Sequence, residues 1–141
     1  MAADQVSEAD AQVHETRQEA QIEVSEAEQD LNETRQEQRE DVQQEIAQAR
    51  QTVAEHQQEL KTAIQTLDKI RNKLKTAETR LSDAQTAKDE DAIKSAQKEV
   101  DDLNEQIANQ ETTVAEEQQD VIDAQQTLQT ALRKSDEART Q

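Results

Sequence analysis

The sequence predicts an all-α protein: a long antiparallel coiled-coil helical hairpin preceded by an N-terminal helical extension. Three observations carry that fold class. Two heptad seams occupy Val42 to Ala138, their phases do not join into one continuous stripe, and the chain contains no Gly, Pro, Phe, Trp or Tyr. Helices need neither turn formers nor large aromatic side chains. A globule of 141 residues would need both, to reverse its chain and to offset its conformational entropy.

The first seam steps alternately by three and four through Val42, Ile46, Ala49, Val53, His56, Leu60, Ala63, Leu67, Ile70, Leu74, Ala77, Leu81 and Ala84. The only apolar residues off this seam between Val42 and Ala87 are Ala47, Ala54, Ile64 and Ala87. So narrow a stripe is that of a helix paired with one other helix, not the broad face of a globular one. The second seam runs Ile93, Ala96, Val100, Leu103, Ile107, Gln110, Val114, Glu117, Val121, Ala124, Leu128, Ala131, Ser135 and Ala138.

Extending the first seam beyond Ala84 lands on Lys88, Asp91, Ser95 and Lys98, all polar, whereas the apolar stripe resumes at Ile93. Neither a stutter nor a stammer reconciles the two phases. The sequence therefore places a turn at 88–91, between a first arm over 42–87 and a second over 92–141. Lys88 closes one helix and Asp89, Glu90 and Asp91 open the next, each sign matching the local helix dipole. Asp89 and Asp91 are both candidate N-caps. Folded this way, Ala84 falls opposite Ile93, Leu81 opposite Ala96, Ala77 opposite Val100 and Leu74 opposite Leu103, so that small meets large in most layers. The competing arrangement is a continuous helix with a phase break in a parallel dimer; the missing glycine argues for it.

Residues 1–41 form a separate segment with an 18-residue repeat. Val6-Ser7-Glu8-Ala9 recurs as Val24-Ser25-Glu26-Ala27, and Glu15–Glu19 recurs as Glu33–Glu37. Eighteen residues are five turns of a straight helix. Its stripe of Val6, Val13, Ala20, Val24, Ala27 and Leu31 is sparse, and alone it makes a marginal helix. It is expected to pack on another chain, to fold back on the hairpin through a turn in Asn32–Asp41, or to stay partly disordered. A stripe at Ala108, Ala115 and Ile122 beside the second seam offers a docking place.

The seam residues Ile46, Val53, His56, Leu60, Leu67, Ile70, Leu74, Leu81, Ile93, Val100, Leu103, Ile107, Val114, Val121 and Leu128 are the candidate interaction surface. Within it, His56, Gln110 and Glu117 are polar residues that cost stability and specify register. Charge is uneven along the chain. Residues 1–60 carry 16 acids and 4 bases, residues 61–98 carry 6 and 9, and residues 99–141 carry 11 and 3. Lys69, Arg71, Lys73, Lys75 and Arg80 thus suggest a mildly basic hairpin tip facing an acidic partner.

Chemistry is sparse. Asp10 with His14 and His56 with Glu59 each offer two metal ligands one turn apart, fewer than the three or four of a zinc site. The acidic runs lack the spacing and glycine of a calcium loop, no phosphate-binding loop exists without glycine, and no base-stacking platform exists without aromatics. No catalytic residue, cofactor, metal, nucleic acid or small-molecule substrate is expected. Neither a signal peptide nor a membrane span is visible, which suggests a soluble, cytoplasmic or virion-associated chain.

The long hairpin without catalytic vocabulary resembles, generically, antiparallel coiled-coil proteins of bacterial envelopes and phage particles. The resemblance implies a non-enzymatic structural role in a homo-oligomer or with other protein subunits: a filament, virion or scaffold element. The alternatives are an adaptor presenting its tip to a partner and a membrane-associated hairpin of the phage-shock type, whose lipid-inserting helix has no counterpart in the polar N-terminal segment.

Overall fold

The computed structural model describes the chain from Ala2 to Thr140, with side chains from Gln5 onward. Met1 and Gln141, assigned from sequence to the extension and the second arm, lie outside the described residues. Two helices account for the fold of the described residues: α1 over Ala2–Ala87 and α2 over Glu90–Thr140. They pack side by side as an antiparallel helical hairpin. At 1.5 Å per residue α1 is about 130 Å long and α2 about 77 Å.

The turn takes two residues, Lys88 and Asp89, fewer than the 88–91 read from sequence. Lys88 adopts φ 55°, the left-handed conformation that glycine usually supplies after a helix. Its N–H donates to the Gln85 carbonyl and the Asp89 N–H to the Ala84 carbonyl, both at 3.2 Å. These two bonds form the Schellman arrangement, which satisfies carbonyls left over at the end of α1. Asp89 then caps α2: its Oδ1 accepts from the Ala92 N–H at 3.2 Å, and its own carbonyl accepts from Ile93 at 2.9 Å. Glu90 and Asp91 occupy the first turn of α2, where the helix dipole favours carboxylates.

Burial follows the two seams. Among the described residues every buried one belongs to one of them: Ala49, Ala63, Leu67, Ala77 and Ala84 on α1, and Ala96, Val100, Leu103, Val121, Ala124 and Ala131 on α2. The other seam residues are half-buried, including Ile46, Val53, His56, Leu60, Ile70, Leu74, Leu81, Ile93, Ile107, Val114 and Leu128. Ala77, with no exposed surface, sits with Val100 and Leu103 at the centre of a cluster to which Ile70, Leu74 and Leu81 contribute. A methyl group at position 77 lets the larger aliphatics close over it, as the alternation of small and large predicts.

α1 runs without a break through residues 32–41, so the fold-back of the extension as a third helix of its own chain does not occur among the described residues. The reason is local. Asn32–Asp41 holds helix formers, with no glycine or proline to reverse the chain.

Candidate functional site

Among the described residues, three interhelical ion pairs identify the two edges of the hairpin. On one edge Arg71 Nη2 lies 3.2 Å from Glu111 Oε1. On the other, Arg80 pairs with Glu99 at 3.3 Å and Lys134 with Glu45 at 3.6 Å. Glu45 and Arg80 are five heptads apart on α1, as are Glu99 and Lys134 on α2, which is why both pairs share an edge. All six side chains are substantially exposed, so each pair contributes at most about 1 kcal/mol. Their information is geometric.

The basic segment has a different setting from the one its sequence suggests. Between Glu99 and Glu116, α2 carries six carboxylates and no base, and the hairpin lays this stretch alongside Lys61–Glu78 of α1. Arg71 and Arg80 are engaged with Glu111 and Glu99. Lys69, Lys73 and Lys75 are exposed on α1. Two of the five bases, Arg71 and Arg80, are thus paired across the helices, and the acidic stretch of α2 is a neighbour that one-dimensional charge counting omits.

One layer of the seam gathers several polar side chains. His56 Nδ1 lies 3.3 Å from Glu59 Oε2, and ligand-type atoms of His56, Glu117 and Asp120 fall within 4.8 Å of one another. Neither His56 Nδ1 nor Glu117 Oε2 has an aligned hydrogen-bond partner among the protein groups. The Glu117 carboxyl is held above the ordinary carboxylate range, first by loss of solvation, then by the adjacent Glu59 carboxylate and by Asp120, with His56 opposing the shift. Chemically the cluster is a polar layer between apolar ones. Its imidazole and two carboxylates are also donor types that bind divalent metals. Sequence spacing pairs His56 with Glu59 and brings in Glu117 across the hairpin; Asp120 joins because it stands one turn beyond Glu117. A second polar seam residue, Gln110, donates from Nε2 to the Ala63 carbonyl at 2.9 Å.

Large apolar side chains outside the seam form two sets. Val6, Val13, Ile22, Val24 and Leu31 on the extension retain 50–60% of their surface. Ile64, Ile122 and Leu132 on the hairpin retain about 40%. No helix among the described residues is long and apolar enough to cross a membrane. No family model matches the chain, and no curated protein or solved structure matches it either.

Proposed function

We propose that this protein is a non-enzymatic structural coiled-coil component that works by assembling with further copies of itself, as an element of a filament, scaffold or virion. The hairpin arms are read as a left-handed coiled coil, since burial repeats in steps of three and four over the whole of both seams. Such a rod sets a distance and presents side chains along its length.

The single observation that carries the assembly reading is the state of the extension. Its large aliphatic residues remain at least half exposed, on a helix whose described side chains up to Asp41 are all exposed. An isolated helix with a sparse apolar stripe is marginal in water, so its stability calls for a partner surface. The pairing of Arg71 and Arg80 across the helices weighs against an adaptor acting through a basic tip.

Multi-angle light scattering over a wide concentration range tests the reading. The intact chain should form a dimer or larger species. A variant lacking residues 1–40 should lose mass per particle while its circular dichroism stays strongly helical, because both seams are retained. An intact chain that remains monomeric at every concentration would contradict the assembly role.

A further inference from the structure

The seven off-seam apolar residues of the hairpin that lie away from its turn are not scattered. Ile64 stands one heptad before Arg71, and Leu132 three heptads after Glu111, so both lie on the edge marked by the Arg71–Glu111 pair. Ala47 and Leu132 line one shallow groove there with Ile46 and Arg50, and Ile64 lines another with Leu60 and Lys61. Ala54 follows Ala47 by one heptad. On α2, Ala108, Ala115 and Ile122 are spaced by sevens, each directly after a seam residue on the side turned toward this same edge. All seven are exposed. The opposite edge has a groove as well, but Glu45, Thr52, Thr127, Thr130 and Lys134 line it, with alanines at its floor.

We infer that the Val6–Leu31 segment of one copy docks as a third helix on the apolar edge groove of a second copy. The inference rests on the assembly reading and specifies the two surfaces that meet. Length is the first argument. Val6 to Leu31 and Ala108 to Leu132 each rise about 36–38 Å along a helix, and both carry apolar residues at heptad spacing: Val6, Val13, Ala20 and Ala27 on one, Ala108, Ala115 and Ile122 on the other. Charge is the second. The segment from Val6 to Leu31 carries eight carboxylates and one base, Arg17. The apolar edge offers it Arg50, Lys61 and Arg139 against Asp136 and the Arg71-paired Glu111, whereas the other edge and its flank offer Glu45, Glu55, Glu59, Glu116, Asp120 and Asp123 against Lys134. An acidic helix is therefore drawn to the apolar edge and repelled from the other.

Continuity of α1 is the third argument. With no break between Ala2 and Ala87, the segment cannot reach the groove of its own chain, so the occupant comes from a second copy. Pairing two extensions with each other instead would bring two strongly acidic helices together. Ile22 lies two residues from both Ala20 and Val24, on the far side of the extension helix, and takes no part in the docking face.

The test uses the full chain with single exposed substitutions. Ile122→Glu should leave the helical circular dichroism intact, because Ile122 is outside the seam, and should raise the concentration for half-assembly at least about tenfold. Arg50→Glu combined with Lys61→Glu should do the same without removing any apolar surface. Thr130→Glu, on the opposite edge, should leave assembly unchanged. If the parent assembles and Ile122→Glu assembles equally well, the groove is not the docking site, although self-assembly stands. If Thr130→Glu disrupts as strongly as Ile122→Glu, the edge assignment is overturned. A parent that never assembles overturns the broader reading along with it.

Discussion

The side-chain amide of Gln110 donates a 2.9 Å hydrogen bond to the backbone carbonyl of Ala63, across the interface between the two helices. The bond depends on the size of position 63. A methyl side chain leaves the carbonyl reachable from α2, and Ala63 is itself buried. Gln110 thus occupies a seam position without leaving its amide N–H unpaired, which is the condition for tolerating a polar group there. It ties one layer of the hairpin to a backbone atom and so discriminates against pairings in which another residue sits opposite.

Replacing Gln110 with Ala should lower the unfolding free energy by about 1 kcal/mol, the usual net worth of such a bond. Chemical denaturation of the two proteins measures the difference. An unchanged midpoint and slope would mean that the contact contributes nothing to the folded state.

The turn gives a prediction of opposite sign. Lys88 holds a left-handed conformation that penalises a side chain with a Cβ by about 1 kcal/mol. Lys88→Gly should therefore raise the melting temperature, and Lys88→Val should lower it, since a β-branched residue tolerates positive φ poorly. Thermal melts of the three proteins decide it. A glycine variant that melts lower than the parent would show that the ordering effect of lysine on the unfolded chain outweighs the strain.

Glu117 predicts a particular pH dependence. Its folded carboxyl is raised above the ordinary range, so within the window just above the unfolded value the folded state binds more protons than the unfolded one. Stability from this group is therefore lost as pH rises through that window. Glu117→Gln should be more stable than the parent at pH 7, and the gap should narrow as pH falls toward 4. A gap that stays constant, or widens on acidification, would contradict the placement of Glu117 beside Glu59 and Asp120.

How much of this was legible in the sequence follows from the range of the forces involved. The seams were legible, because a strict heptad pattern is a direct imprint of one buried stripe, and among the described residues every buried one falls on it. The helix reversal was legible from the phase jump between Ala84 and Ile93. Its length was not: Lys88 takes a conformation that composition assigns to glycine, and Asp89 rather than Asp91 became the cap. The polar layer was half legible. His56 and Glu117 are conspicuous as seam residues, but Asp120 is off-seam and enters only through three-dimensional proximity. The setting of Arg71 and Arg80 was not legible for the same reason, since the carboxylates they meet come from a distant part of the chain. The apolar edge was partly visible in Ala108, Ala115 and Ile122. Ile64 and Leu132 join it only once Arg71 and Glu111 show which sides of the two helices adjoin.

Every surface described here presupposes that the two helices pair within one chain. The protein has no cysteine, so two can be introduced as unique spin-label sites, at the exposed positions Lys75 and Asp101, on facing stretches of α1 and α2. Pulsed dipolar spectroscopy on doubly labelled chains, diluted into excess unlabelled protein, should give a short, narrow distance that dilution does not weaken. Loss of that distance in proportion to dilution would mean that the arms pair between chains, and the single-chain hairpin would be wrong.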